Sequence, residues 1–575
     1  MMSENSLFSN FTALQINITK RRKWLILLAF VIYLLYDVGI LLLLLSNQTY
    51  LRSAPKWKMI SWTRRLLGPY AGNGFITAVG SVLLAIEGFR WLSNRQMLDF
   101  YESQPFSRMQ HFFGVVFNST LILFLSHLTG TLLGLLSACA FGSCSVNVVS
   151  SAFFCLGLDM TIFAAVFSIA ILAVMLTGNL VVSVIATVVL LVYESALKVC
   201  LNSSLALLPG YAGSGISYRG IFSPILSLIP DTKVGVVENL ICAGIVMTIS
   251  LFLYRIRKNE DAGKAVPLKV VRIIVKISVV FVIALLTGLV FNDEGGTQSS
   301  IIAMIISSLV IGGAMETIYN SDIRKIFKGF GFTLLGGLLA IAVLLSCRMD
   351  LFGYSHWVPK EKDVKSAWIC LDYEFDHAYE EQYMKLTDIK TVNALLKSGE
   401  EGGEGETLFD LTISYRMKNG RTESRRISVP ESSKDLMAKI FETDEFKEGY
   451  FEVYHDEDIR GHMKNSYVSY SNFGGDADES EATEMSSKVY DAIRSAYIED
   501  LKKYDFETAA YRKEIGEIYI YVPESEKRSK SYNLPVYQSF TNTIAVLKEK
   551  NMYRDPVEEI ENGGPFYTDP KKASY

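Results

Sequence analysis

A series of long apolar runs is the feature that most constrains how this sequence can fold, and all of them lie before Asp350. The first, WLILLAFVIYLLYDVGILLLLL, extends from Trp24 to Leu45 and is about as long as a helix must be to cross a hydrocarbon core of about 30 Å. The other runs begin near Gly74, Phe112, Ala152, Leu180, Val236, Ile273, Ser299 and Phe330. The sequence therefore predicts a polytopic α-helical membrane protein with about nine spans, within residues 24–349.

The first run does not have the form of a signal peptide. Its apolar core exceeds the roughly 7–15 residues of an h-region, and no small-residue cleavage site follows it directly. We expect this run to remain in the protein, preceded by a short cytoplasmic segment of residues 1–23.

Basic residues predict the orientation of the spans, because loops on the cytoplasmic side carry more Lys and Arg. With a cytoplasmic amino terminus, the inner loops contain sixteen Lys and Arg against seven in the outer loops. The odd number of spans then places residues 350–575 outside the cytoplasm of a plasma-membrane protein. Five of the seven outer charges lie in residues 52–65, and this segment is either an interfacial amphipathic helix or a sign that the first hairpin is misplaced.

Residues 350–575 change character and predict a soluble α+β domain. The stretches at 363–376 and 407–430 alternate like strands, and the second has Asn419-Gly420 at the position of a two-residue hairpin turn. Apolar residues recur at helical spacing in three further stretches, residues 388–398, 482–504 and 537–550. About two hundred residues are enough for such a domain to bury a core of its own.

Several kinds of chemistry are absent from the sequence. Gly263-Lys264 is followed by Ala265 and lacks the preceding glycine of a phosphate-binding loop, and no serine lies in a G-x-S-x-G elbow. Six histidines and seven cysteines are scattered without metal-ligand or disulfide spacing. The net charge of −4, with basic residues in membrane-flanking clusters, predicts no nucleic-acid surface. We expect no enzymatic activity of the chain's own, no cofactor and no metal.

Ionisable residues within the predicted spans are candidates for a polar site, because a charge in lipid is costly unless it is paired or hydrated. Asp159 has no basic neighbour in the sequence, and it either lines a polar cavity or caps a helix near the outer interface. Glu194 and Lys198 are four residues apart, so one helical face can pair them, and we favour a structural ion pair there. The remaining members are His127, Glu87 and Glu316. The two glutamates lie close to predicted span ends, where snorkelling explains them.

Three predicted cytoplasmic loops, near residues 88–114, 255–272 and 316–329, combine both signs of charge with aromatic or small residues. In the first, Pro105 forces a break between an amphipathic stretch and the next span. This loop is either a helix that presents aromatic side chains to a protein or an interfacial helix that binds lipid alone. A loop that contacts only lipid headgroups would be more simply basic. Three such loops on one side therefore favour a protein-docking surface.

At these loops the sequence resembles the permease subunits of type-2 ABC exporters from Gram-positive bacteria, in the branch with a large extracytoplasmic domain after the last span. The first family motif, F-R-Y-L-h-s-x-R-x-x-d-F-Y-h-S-L-P-x-s-R, is similar to residues 89–108, with Trp91 and Gln104 as departures. The second, R-x-x-E-x-A-G, matches residues 257–263, and the third, E-x-I-y-x-x-D-f-r-x-x-F-K, matches residues 316–328. ISYRMKNGRTESRRISVP and LPVYQSFTNTIAVLKEK are similar to that family's outer domain.

The resemblance implies a transport subunit whose three loops form the coupling interface with a separate ABC ATPase. The residues that it places at this interface are Arg95, Asp99, Phe100, Tyr101, Ser103, Pro105, Arg108, Arg257, Glu260, Gly263, Glu316, Asp322, Arg324 and Phe327. It also implies a homodimer, or a heterodimer with a related permease, in the lipid bilayer. Closure of the ATPase would then tilt the spans as rigid bodies.

The substrate and two competing functions stay open. Apolar spans with few buried charges favour an amphipathic peptide, lipid or drug over a small polar ion. A membrane sensor of envelope ligands would signal through a cytoplasmic partner such as a histidine kinase. An ion-coupled secondary carrier would use Asp159 and the other charges in the spans, and would show flux as a single purified chain.

Overall fold

The computed structural model describes residues 4–46, 56–68, 73–213, 233–320, 322–371, 378–401, 407–461, 463, 466–472, 483–512, 514–525 and 528–555. Two compact units divide the chain, one of Met1–Ser204 with Ile216–Leu345 and one of Leu205–Gly215 with Ser346–Tyr575. The longer segment of the second unit begins at Ser346. The sequence did not predict that residues 205–215 belong to it.

The first unit is helical. Its helices are α1 (Glu4–Arg21), α2 (Lys23–Tyr33), a π-helical turn (Leu34–Ile40), α3 (Leu41–Ser46), α4 (Lys56–Leu67), α5 (Asn73–Gly88), α6 (Arg95–Glu102), α7 (Arg108–Ala140), α8 (Val146–Leu176), α9 (Leu180–Leu205), α10 (Lys233–Ile256), α11 (Lys269–Asn320) and α12 (Phe330–Arg348). Short 3₁₀ turns at Arg90–Ser93, Asn259–Asp261 and Ile323–Lys325 lie in the three connections that the sequence singled out.

Within the residues that the structure describes, eight helical segments of this unit are long and apolar enough to cross a membrane, by length and composition. This agrees with a polytopic helical protein, whereas the sequence predicted about nine spans. The difference is the run near Gly74, which forms the 16-residue α5 and is about 24 Å long at the helical rise of 1.5 Å per residue. α11 contains two of the eight candidates, because Gly296 at φ 70° breaks it into Lys269–Asn292 and Gly296–Asn320.

α8 is the most enclosed of the long helices and packs against α5 and α10. Its buried residues include Phe163, Phe167 and Val174, which join Phe112 of α7 and Tyr254 of α10 in one apolar cluster. A helix that is apolar on all sides is expected to lie inside a bundle. α8 therefore provides the framework on which the neighbouring helix ends are positioned.

The basic segment at residues 52–65 overlaps α4, although residues 52–55 lie outside the described part of the chain. α4 is amphipathic. Its Leu67 is buried in a cluster with Leu41, Ala138 and Val148, and its Thr63 hydroxyl donates to Ser143 Oγ at 3.1 Å. These contacts favour the amphipathic-helix interpretation over a misplaced hairpin.

The second unit contains strands and helices. They are β1 (Val364–Leu371), α13 (Ala378–Tyr383), α14 (Ile389–Glu401), β2 (Thr407–Met417), β3 (Thr422–Pro430), α15 (Lys434–Phe441), α16 (Asp444–Tyr450), α17 (Glu457–Gly461), β4 (Tyr467–Asn472), β5 (Thr483–Glu484), α18 (Ser487–Lys503), α19 (Phe506–Tyr511), β6 (Glu514–Ser525), β7 (Arg528–Tyr537) and α20 (Thr541–Glu549). The strands form two antiparallel sheets, in the orders β1-β2-β3 and β5-β4-β6-β7.

The predicted hairpin lies between β2 and β3, but its loop is longer than two residues. Gly420 N–H donates to Met417 O at 3.0 Å, and Met417 N–H donates to Arg421 O at 2.8 Å. Gly420 is at φ 83°, the left-handed position that glycine occupies in a three-residue hairpin loop. The three stretches predicted to be helical correspond to α14, α18 and α20.

Candidate functional site

The first loop of the candidate interface is built by local capping. Asn94 caps α6, its side chain accepting from Gln96 N–H at 3.0 Å. Ser107 starts α7 with a capping box, in which Ser107 Oγ accepts from Gln110 N–H at 3.2 Å and Gln110 Oε1 accepts from Ser107 N–H at 2.9 Å. The chain between these helices contains Pro105, which cannot continue a helix. The sequence alone therefore determines the break at this loop.

The aromatic residues of the first loop divide into buried and exposed groups. Trp91 is buried, and the Tyr101 ring stacks on it with centroids 4.9 Å apart. Phe100, by contrast, is 51 % exposed. The predicted contact residues that are exposed here are Arg95, Asp99, Phe100, Ser103, Pro105 and Arg108. Tyr101 thus helps to hold the loop together, and Phe100 is available to a partner.

Three polar side chains join the first loop to the second. Arg108 Nη2 donates to Asn259 Oδ1 at 2.8 Å, and Arg108 Nη1 donates to Arg257 O at 3.2 Å. Glu102 pairs with Arg108 and accepts a hydrogen bond from Asn259. The small cavity between the two loops is about 10 Å³, room for about one water molecule. The loops are therefore closed against each other.

Arg257 is a half-buried side chain that joins the second loop to α8 and to the first loop. Its Nη1 donates to Val174 O at 2.7 Å and Met175 O at 3.3 Å, and its Nη2 donates to Leu92 O at 3.3 Å. Burial lowers the pKa of Arg257 to about 10, so the guanidinium remains charged near neutral pH. It satisfies carbonyl groups at the end of α8 and in the first loop. The structure thus gives this predicted contact residue a positioning role.

Gly263 turns the second loop back toward α8. It is at φ 87°, where a side chain is strained, and its N–H donates to Gly178 O at 2.7 Å. The neighbouring Ala262 is buried against the first loop. Glu260, in the preceding 3₁₀ turn, is exposed. The second motif therefore contributes a backbone turn that requires Gly263 and one exposed carboxylate, that of Glu260.

The third loop is anchored by a buried ion pair. Lys276 Nζ lies 2.9 Å from Glu316 Oε1 and also donates to Gly329 O at 3.1 Å. Asn320 Nδ2 donates to Glu316 Oε2 at 2.9 Å. Glu316 is only 6 % exposed, so it holds the loop and presents little surface to a partner.

The exposed part of the third loop is a short capped turn. Asp322 Oδ1 accepts from Arg324 N–H at 3.0 Å. The turn presents Ile323, which is 72 % exposed, and Phe327, which is 76 % exposed. Arg324 is exposed beside them. These large apolar side chains in a loop are typical of a surface that another protein covers.

Contacts across the second loop bring the three loops to one end of the helices. Val266 of the second loop is buried with Tyr319, which precedes the third loop. Arg272 lies over the Tyr319 ring at 5.2 Å and donates to Val266 O at 3.1 Å. We define the loop surface as residues 88–108, 177–179, 257–268 and 322–329. Each of the three stretches singled out in the sequence contributes to it.

α1 packs against the loop surface and was not predicted from the sequence. Its Arg21 donates to Tyr101 OH at 2.8 Å, and the guanidinium lies 5.2 Å from the ring centroids of Tyr101 and Phe100. Gln15 Nε2 donates to Gly114 O at 3.1 Å, and Leu14 is buried. The helical spacing of Phe11, Leu14 and Ile18 is the sequence pattern from which α1 could have been predicted.

Arg22 connects α1 and α2 to the interior. It is 4 % exposed and donates to Leu84 O at 3.1 Å, Ser119 Oγ at 2.9 Å and Asn118 Oδ1 at 3.3 Å. Burial lowers the pKa of Arg22 to about 10. A side chain at Gly88 would collide with its guanidinium. The close approach of Arg22 therefore explains why residue 88, just before the first motif, is glycine.

The residues predicted for an intramembrane polar site do not form one group. Asp159 is buried beside His127, whereas Glu194 and Lys198 are half-buried on α9. Among the described contacts of Asp159, none involves either of those two residues. The structure instead adds Asp37, which is 2 % exposed. In the sequence, Asp37 could have been recognised as the single carboxylate within the first apolar run.

No metal centre is formed by the part of the chain that the structure describes: no group of three or more His, Cys, Asp or Glu there is arranged to hold an ion. The arrangement offers two functional features, an exposed loop surface and a buried polar cluster. Comparison of the chain with protein-family models, with curated proteins and with solved structures gave no match.

Proposed function

We propose that this chain is the membrane-spanning permease subunit of an ABC transporter, and that a separate ATPase docks on the loop surface. The observation that supports this most directly is that three loops, far apart in sequence, are tied together by Arg108, Asn259, Arg257 and Val266. A rigid surface transmits a push from a partner to the helices that begin and end there.

The composition of the loop surface matches a protein interface. Its large exposed apolar side chains include Met97, Phe100, Ile323 and Phe327. The same surface also exposes charged side chains, among them Arg95, Asp99, Glu260 and Arg324. An apolar centre with a polar rim is the usual division of an interface. A loop that only met lipid headgroups would be more uniformly basic.

The partner must supply the nucleotide chemistry, since this sequence has no phosphate-binding glycine loop. We infer that the permease works as a homodimer or with a related chain, and that an amphipathic peptide, lipid or drug is the transported substrate. The predominantly apolar spans support that substrate class over a small polar ion.

The proposed orientation has a cytoplasmic amino terminus and an extracytoplasmic second unit. We expect a membrane-impermeant maleimide to label Lys397→Cys in intact cells and to label Lys258→Cys only after permeabilisation. Both positions are exposed. The exposed Cys139 and half-exposed Cys144 are first changed to serine, so that they do not react. The reverse labelling pattern would overturn the orientation and the cytoplasmic location of the loop surface.

Reconstitution tests the proposed function directly. The purified chain in liposomes is expected to hydrolyse no ATP alone, and to support ATP-dependent substrate flux when its ATPase is added. Vesicles with the ATPase alone serve as the control. ATP turnover by the chain itself would contradict the proposal.

An ion-coupled carrier is the second candidate, and the buried carboxylates Asp37 and Asp159 favour it. A carrier would move substrate down an imposed proton or sodium gradient with neither ATP nor a partner. Gradient-driven flux by the single chain would therefore select this function over the first.

A further inference from the structure

A buried polar cluster lies between α2, the π-helical turn, α5, α7 and α8. We call Asp37, Asn73, His127 and Asp159 the acid cluster. Asn73 Nδ2 donates to Asp37 Oδ1 at 3.0 Å. Asp159 Oδ2 lies 3.5 Å from His127 Nε2, and Cys155 Sγ donates to the same oxygen at 3.6 Å.

The cluster is sealed from solvent and contains atoms without hydrogen-bond partners. Its four residues are each 1–3 % exposed. Within the described residues, Asp37 Oδ2, Asn73 Oδ1 and His127 Nδ1 have no partner. Buried polar atoms normally have one, so these three atoms point to something small that the cluster binds.

The charged groups that face the cluster favour a cationic ligand. α2 and the π-helical turn contribute Tyr33 and Asp37, α7 contributes His127, and α8 contributes Cys155 and Asp159. α5 contributes only the polar, non-titrating Asn73 and Thr77. No Lys or Arg in the described ranges pairs with either carboxylate. Two bare carboxylates in an apolar setting are costly, and bound protons remove that cost.

The surrounding backbone is shaped to place Asp37. It lies in the π-helical turn Leu34–Ile40, a widened turn that is frequent at functional sites. A Cβ on Gly130 would lie 2.6 Å from Asp37 Oδ2. The Tyr33 ring stacks on His127 at 4.5 Å, and its hydroxyl is 2.6 Å from Thr77 Oγ1. The space around Asp37 and the orientation of His127 are therefore both determined by specific contacts.

We propose that the acid cluster is an intramembrane proton-binding site. One proton is held on Asp37 Oδ2 and a second on Asp159 Oδ2, which faces His127 Nε2 at 3.5 Å. Release of the first leaves a carboxylate whose Oδ1 keeps the hydrogen bond from Asn73. Transfer of the second moves a proton from the carboxyl oxygen of Asp159 to the imidazole nitrogen of His127, and no bond between heavy atoms forms or breaks. The inference does not depend on ATPase docking, since it concerns the interior of the helices.

Infrared spectroscopy of the full-length chain in lipid membranes, labelled with ¹³C in the aspartate side-chain carboxyl, tests this site. The label moves aspartate carboxylic C=O bands away from those of glutamate. At pH about 7, where ordinary aspartates are ionised, we expect two aspartate carboxylic bands that disappear as the pH rises. Asp37→Asn and Asp159→Asn should each remove one of them.

Glu514 provides an internal control from the second unit. Burial raises its pKa to about 7, and Tyr537 OH donates to Glu514 Oε1 at 3.1 Å. It should give a carboxylic band that the aspartate label does not move and that Glu514→Gln removes. Its presence shows that the measurement detects one protonated carboxyl group in this chain.

Two further variants test the site even if an asparagine variant misfolds. Asp159→Glu should restore a titrating band at the unlabelled position, and His127→Gln should shift the pH midpoint of the Asp159 band. Absence of labelled carboxylic bands at every pH would overturn the site, and so would bands that survive both asparagine variants. An unchanged midpoint in His127→Gln would overturn the role of His127 as the group that exchanges a proton with Asp159. Bands that respond to sodium at constant pH would assign the site to that cation instead.

Discussion

Replacing both Phe100 and Phe327 with alanine is expected to weaken ATPase binding by about 2–4 kcal/mol, roughly 30-fold to 1,000-fold. These side chains are 51 % and 76 % exposed on two different loops of the loop surface. Large aromatic anchors commonly dominate protein interfaces, and neither residue belongs to the buried core. Co-purification and equilibrium binding of the ATPase to the chain in nanodiscs measure the loss.

Phe75 and Phe154 form a matched control. They are 72 % and 53 % exposed, and they lie on α5 and α8 near the ends opposite the loop surface. Their double alanine variant should bind the ATPase like the wild type. Arg95→Gln, at the charged rim, should have a smaller effect that depends more on salt. Wild-type affinity in the Phe100/Phe327 variant would remove the docking role from the loop surface.

Replacing Lys276 with methionine is expected to destabilise the chain by about 3–5 kcal/mol, because it leaves Glu316 as an unpaired buried charge. The two side chains are 2 % and 7 % exposed, with 2.9 Å between Nζ and Oε1. Lys276 also donates to Gly329 O, so its loss should loosen the third loop and weaken ATPase binding. Denaturant unfolding in detergent, followed by helical circular dichroism, measures the stability change.

The double variant Lys276→Met/Glu316→Leu distinguishes a charge effect from a packing effect. Apolar replacement of both partners of a buried pair is often neutral, so it should recover most of the stability. The exposed pair Lys325–Asp322, at 3.4 Å in the same loop, is the control, and Lys325→Met should cost no more than about 1 kcal/mol. Equal destabilisation by the single and double variants would show that the ion pair is not the cause.

Local patterns were sufficient to predict several elements of both units. An apolar run of span length must form a helix in lipid, because every backbone polar group needs a partner within its own segment. Pro105 similarly predicted the break that precedes α7, which begins at Arg108. The alternation in β2 and β3 also predicted strands correctly. The second sheet was not predicted. Its β4 pairs with β6 across a long sequence separation, and the alternation of the consecutive strands β6 and β7 was not recognised.

The loop surface illustrates what periodicity cannot predict. The sequence placed Phe100 and Tyr101 together as an apolar contact, yet Tyr101 stacks on Trp91 while Phe100 is exposed. Arg257 was expected to be a charged contact residue at the surface. Its guanidinium instead donates hydrogen bonds to three backbone carbonyl groups. Both outcomes depend on how α8 and α10 pack beside the first loop. Exposure of a loop residue is therefore a property of its neighbours in space.

By itself the sequence determined the positions of the apolar helices, the break at Pro105 and the strands of the first sheet, because each follows from hydrophobicity, spacing and the geometry of proline within a few residues. Only the tertiary structure decided that the buried Arg22 and Lys276 and the half-buried Arg257 hold separate segments together, and that Asp37 joins Asn73 beside His127 and Asp159. The physical reason is that a buried polar side chain is satisfied by whichever group packing brings to it. Those groups come from helices 36 to 165 residues away in sequence.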